Sequence, residues 1–141
     1  MSGVVQVRAD LVPELASFVS ANLDRAMFMA SALHRFGLGP SEHPHAARFW
    51  LGRADGRAAL AVSLSNAGFL TVVCPDPDGA ATLWPAVAEA LCNRRIRGIN
   101  GSDEAVLPLR TALGLTDRPA RLDRPDPHYA MDLKDLILPA G

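Results

Sequence analysis

The sequence predicts one mixed α/β domain, a sheet of antiparallel and parallel strands covered by helices, and three observations carry that prediction. Phe69 to Cys74 is an unbroken β-branched and apolar run, the pattern of a strand buried on both faces of a sheet. Two turn signals, Asp55-Gly56 and Asn66-Ala67-Gly68, tie this run to the two apolar stretches before it and make three antiparallel strands contiguous. The polar cluster Pro75-Asp76-Pro77-Asp78-Gly79 then ends the run, and Leu83, Val87 and Leu91 recur at helical spacing before the next apolar segment. A crossover of that length joins parallel strands.

The elements follow in order. Val4, Val5 and Val7 make an opening strand, and Asp10 stands as N-cap of a helix through Leu23, with Pro13 in the first turn where a missing N–H costs nothing. Leu15, Phe18, Val19 and Leu23 form its apolar stripe. A second helix starts near Asp24, buries Met29, Leu33 and Phe36, and is capped by Gly37. After a loop from Gly37 to Pro44, Ala47, Phe49 and Leu51 alternate with Arg48 and Trp50, and Leu60, Val62 and Leu64 alternate with small residues, giving two strands before the central one. Beyond the helix of Leu83 to Leu91, Ile96 to Asn100 forms a strand, and Ser102 or Asp103 caps a helix reaching Gly114, with Pro108 near the limit of what a first turn tolerates. Thr116 to Asp123 and His128 to Leu133 read as a terminal hairpin around Pro125-Asp126-Pro127.

Composition narrows the function classes. The 141 residues fit a single domain over 1–141, with 49% apolar residues, 21% charged and a net charge of −1. Near-neutral charge argues against nucleic acid as a partner. No apolar run reaches membrane-spanning length, and Met1 to Leu23 lacks the basic flank and continuous apolar core of a signal peptide, so the expected compartment is the cytoplasm. Cys74 and Cys92 have no metal-ligand spacing and read as small core hydrophobes. His43-Pro44-His45 offers two imidazoles without a third ligand nearby, so no metal is expected, and His34 beside Arg35 reads as surface. Arg94, Arg95 and Arg97 form a basic cluster that fits either a solvated strand end or an anion contact.

The strand, turn and helix from Ala67 to Asn93 admit two readings, a plain connection or a turn that points backbone N–H groups at a phosphate. A resemblance bears on the choice. The element order (strand, two helices, three strands, helix, strand, helix, two strands) resembles the GNAT superfamily of N-acetyltransferases. Ala26 to Gly39 and Asp126 to Pro139 are similar to segments in the N-terminal halves of bacterial proteins that carry two GNAT-like domains in tandem.

The resemblance implies acetyl transfer from acetyl-CoA to an amine. Backbone of Val72, Val73 and Cys74 would pair with the pantetheine, and Gly79, Ala80 and Ala81 would hold the pyrophosphate. The family's loop has a basic residue or glutamine, two spacers, glycine, a spacer, then glycine or alanine; here the first place falls on Asp76, and Asp78 adds a second acid. The family's general-acid tyrosine falls, in the stretch Leu109 to Leu115, on Arg110, which cannot return a proton to a thiolate. Tyr129, the only tyrosine, is the remaining candidate for that role. Because the first half of such tandem proteins is often degenerate, the alternative expectation is a non-catalytic GNAT-like module. It would pair with a second GNAT-like domain or form a homodimer through the hairpin around His128 to Leu138, whose Leu136-Ile137-Leu138 is apolar.

Overall fold

A computed structural model describes residues 3–120 of the chain. The expected terminal hairpin from residue 121 onward, Tyr129 and the proposed dimer surface lie outside these residues. Within them runs a five-stranded sheet in the order β1 (Gly3–Gln6), β2 (Ala47–Ala54), β3 (Arg57–Ser65), β4 (Phe69–Val73) and β5 (Gly98–Asn100). Strands β1 to β4 are antiparallel in succession, whereas β4 and β5 are parallel, with Phe69, Leu70 and Thr71 opposite Gly98, Ile99 and Asn100. Helix α3 (Trp84–Ala90) makes the crossover between those two strands. The mixed sheet expected from the sequence is therefore present.

Both faces of the sheet are covered, because each central strand carries apolar side chains at odd and even positions. Phe49, Leu51, Ala61 and Val73 face α1 (Val12–Ala21) and α2 (Leu23–Phe36), meeting Leu15, Phe18, Val19, Ala26 and Met29. On the opposite face Trp50, Leu60, Val62, Leu70 and Val72 meet α3 and α4 (Asp103–Ala112) through Leu83, Trp84, Val87, Leu91, Ala105 and Leu109. Trp50 is thus core and not the exposed partner of an alternating strand: at 3% exposure it fills the second face, and the sequence pattern for β2 looked one-sided only because Arg48 precedes it.

Local chemistry explains most boundaries. Asp55 and Gly56 both take positive φ, 53° and 77°, as the tight β2–β3 turn demands. Gly37, at φ 58°, ends α2. Gly52 is held to glycine by packing, since a Cβ there would stand 2.7 Å from the Leu60 side chain.

Several expectations need correction. Asp10 caps nothing, because it sits inside a 3-10 turn (Ala9–Leu11) that continues into α1, and the residue preceding α1 is Leu11, with no side-chain cap. Helix α1 ends at Ala21, so Leu23 opens α2 and is exposed, not part of a stripe. Leu33 and Phe36 are only half-buried. Strand β5 starts at Gly98, later than Ile96. Ser102 precedes α4 as expected, but it is its carbonyl, accepting from Ala105 and Val106 N–H, that anchors the first turn. Pro108 lies inside α4, beyond the first turn. Thr116 to Ala120 is turn and irregular chain, so no strand begins at Thr116. Cys92 is exposed and lies past the end of α3; only Cys74 is a core thiol.

Candidate functional site

Two regions near the parallel strand pair bear on function: the loop after β4 and a cleft under α2. In the loop, Val73 is followed by buried Cys74, exposed Pro75 and Asp76, and a 3-10 turn (Ala81–Leu83) that leads into α3. Pro85 occupies the first turn of α3, where it lacks an N–H to lose, which delays the helix until Trp84.

Three of the loop's N–H donors are already taken. Gly79 N–H donates to Asp76 Oδ1 at 3.0 Å, Ala80 N–H to the Asp76 carbonyl at 3.1 Å, and Ala81 N–H to the Asp78 carbonyl at 3.2 Å. The Asp76 carboxylate packs so closely that a Cβ on Gly79 would lie 2.3 Å from its Oδ2. An Asp side chain that bonds backbone N–H groups a few residues on is a common turn-former, and here it holds a carboxylate against the Gly79 N–H. Val72, Val73 and Cys74 are each about 1% exposed. The Val72 carbonyl faces Gly101, whose added Cβ would stand 2.7 Å from it.

Cys74 has no nucleophilic character. Burial pushes its thiol up to about 11, the Asp76 backbone N–H opposes that shift, and the Asp76 charge reinforces it.

The other candidates have structural partners. The Arg110 guanidinium donates to the carbonyls of Leu115, Thr116 and Arg118 at 3.4–3.5 Å and so closes the end of α4. Arg94 lies over the Trp50 ring, 5.0 Å from its centroid, while Arg95 and Arg97 are exposed. His43 stacks on Phe36 at 4.6 Å, and its Nδ1 accepts the backbone N–H of His45. Among the described residues no group of three or more His, Cys, Asp or Glu side chains is placed to hold a metal, and no helix is long and apolar enough to cross a membrane.

The second region is a cleft of about 410 Å³ between α2 and the sheet. Its floor is a polar row across three strands: Ser63 opposite Thr71, and Thr71 opposite Asn100. Ser63 and Thr71 are the two buried polar residues among those described, and Asn100 Nδ2 donates to Thr71 Oγ1 at 3.3 Å. This row lies on the face that α1 and α2 cover, in line with Phe49 opposite Ser63.

The wall comes from one side of α2. Phe28, Ser31, Ala32, Arg35 and Phe36 recur at three- and four-residue intervals, beside the buried stripe of Ala26 and Met29. Phe69 closes the far edge; its ring lies over Gly98, where a Cβ would come within 2.9 Å.

Comparison with protein-family models, curated proteins and solved structures finds no match to this chain.

The sequence reading thus found the loop but missed the cleft. Asp76, Gly79, Ala80 and Ala81 lie together in one hydrogen-bonded turn, whereas Tyr129 lies outside the described residues. A signal for the cleft existed in Phe28-x-x-Ser31-Ala32-x-x-Arg35-Phe36, a second helical stripe of aromatic and small residues beside the apolar one. Ser63, Thr71 and Asn100 carried none, since their alignment depends on strand register.

Proposed function

We propose that this chain is a GNAT-like domain that binds a small ligand in the α2 cleft and has given up acetyl transfer from acetyl-CoA. One observation carries the reading: the Asp76 carboxylate accepts from Gly79 N–H at the position the family resemblance gives to the cofactor pyrophosphate. The neighbouring Ala80 and Ala81 N–H groups are spent on loop carbonyls, so a phosphate arriving there would have to displace three hydrogen bonds and face an acid. A helix of seven residues offers a small dipole in compensation. The resemblance supports the fold half of this reading through the parallel β4–β5 pair and the crossover helix between them; the function rests on the loop and the cleft.

A second reading, an N-acetyltransferase that binds acetyl-CoA between β4 and β5, has one observation in its favour. The β4–β5 ladder ends at Thr71 and Asn100, and β4 continues to Val73 beyond it. A calorimetric titration separates the two. With acetyl-CoA raised to about 1 mM, our reading expects no saturable heat, and a dissociation constant in the micromolar range, roughly −8 kcal/mol, favours the transferase.

A further inference from the structure

The chemistry lining the α2 cleft selects its ligand. Among the described residues that line it there is no carboxylate, and the one permanent cation is Arg35. Arg35 is exposed on α2, its Cζ 5.0 Å from the Phe36 ring centroid, and no ion pair holds it among the described residues. Phe28 is 74% exposed and Phe69, whose ring packs over Gly98, is 52% exposed, so two aromatic side chains of the lining keep apolar surface in water. The floor supplies hydroxyl and amide groups from Ser63, Thr71 and Asn100. Its volume, about 410 Å³, falls in the range of roughly 300 to 1,000 Å³ usual for small-molecule sites.

We infer that the cleft binds a small aromatic or bulky apolar carboxylic acid, with the ring between Phe28 and Phe69 and the carboxylate on Arg35. A protonated amine is the wrong guest, since no carboxylate among the described lining residues balances its charge and Arg35 repels it. A carboxylate instead gains a charge-assisted, forked hydrogen bond from the guanidinium. Ring burial against two exposed aromatics removes apolar surface from water on both partners. The inference rests on the cleft as the ligand site, and is independent of how acetyl-CoA behaves at the β4 loop.

The test uses three probes of nearly equal shape on the full chain: 2-naphthoate, naphthalene-2-carboxamide and 2-naphthylmethylammonium. Binding is followed by saturation-transfer NMR and calorimetry. We expect 2-naphthoate to bind with one-to-one stoichiometry, about tenfold tighter than the neutral amide, the order expected of one exposed charge-assisted contact, with the ammonium weakest. Added salt should narrow the gap between acid and amide.

Arg35→Gln should erase the preference for the acid while leaving amide binding in place. Thr71→Val, nearly isosteric in the floor, should weaken both probes with the acid preference kept. The inference is overturned if the ammonium binds as well as the acid, if Arg35→Gln leaves the preference intact, or if no probe binds by about 1 mM. Because acetyl-CoA is absent from this experiment, its failure would leave the reading of the Asp76 loop standing.

Discussion

Reversing the charge at Asp76 is the sharpest perturbation of the loop. In the native protein its carboxylate lies 3.0 Å from Gly79 N, so a phosphate seated on this loop would come within about 4 Å of a negative charge. Asp76 is exposed, and at that distance two unit charges in bulk water interact by about 1 kcal/mol, against about 4 kcal/mol at an effective dielectric of 20. Taking the solvated value, Asp76→Ala should strengthen acetyl-CoA binding by about 1 kcal/mol, or fivefold. Asp76→Arg, which replaces repulsion by attraction, should gain about 2 kcal/mol, or thirtyfold.

Calorimetry with acetyl-CoA at low ionic strength reads the affinities, since screening is weakest there. Thermal melts check that each variant is folded. Asp76→Arg showing no saturable binding where the wild type shows none, or binding no tighter than a wild type that does bind, would refute the reasoning, because it would mean that the carboxylate does not control access to the loop.

Other predictions concern the framework. Gly52→Ala would place a Cβ 2.7 Å from Leu60 Cγ and 3.3 Å from Leu83 Cδ1, both side chains fully buried, so overpacking of about 1 to 3 kcal/mol should outweigh the smaller gain from a stiffer unfolded chain and lower Tm by several degrees; an unchanged or higher Tm would contradict this packing. Cys92 should react rapidly with a disulfide reagent, whereas Cys74, buried and with its thiol pushed up to about 11, should react only on unfolding, so two fast thiols in the native protein would count against the β4 core.

The hydrogen bond from Arg53 Nε to Glu14 Oε1, 3.0 Å, holds the Glu14 carboxyl below its ordinary value of 4.5; burial opposes it, and the Arg53 charge adds a further pull downward. A depressed folded-state value means that the pair's contribution is present above about pH 4.5 and is lost as pH falls through the lower folded value. Glu14→Gln should therefore flatten the stability profile in acid, and an identical acid profile in wild type and variant would show the pair to be idle.

How much of this was legible in the sequence differs by kind of information. Local backbone rules were written in single residues: Asp55-Gly56 and Gly37 announced their turns through conformations few other residues adopt. The parallel pairing of β4 with β5 followed from the length of the connection alone. Side-chain environment was harder to read. Trp50 looked like the outer face of an alternating strand, and only the presence of α3 and α4 on that side makes it core. Cys92 looked apolar by type but follows the last turn of α3 in an exposed segment.

At the loop, the acids Asp76 and Asp78 were visible as departures from the resembling pattern, yet that Asp76 would turn inward to satisfy Gly79 is a matter of torsion angles. The cleft floor depends on register across three strands, where Ser63, Thr71 and Asn100 are separated by 8 and 29 residues in sequence; no local window contains all three.

The most direct test of the central claim, that the β4 loop is closed to the cofactor by its own carboxylate, is residue-resolved NMR. The backbone amides of Gly79, Ala80 and Ala81 in ¹⁵N-labelled protein would be followed while acetyl-CoA is added to about 1 mM. The account predicts that these three resonances stay in place, since their N–H groups remain bonded to Asp76 Oδ1, the Asp76 carbonyl and the Asp78 carbonyl. Saturable shifts centred on Gly79 to Ala81 would contradict it and favour the acetyl-CoA-binding reading.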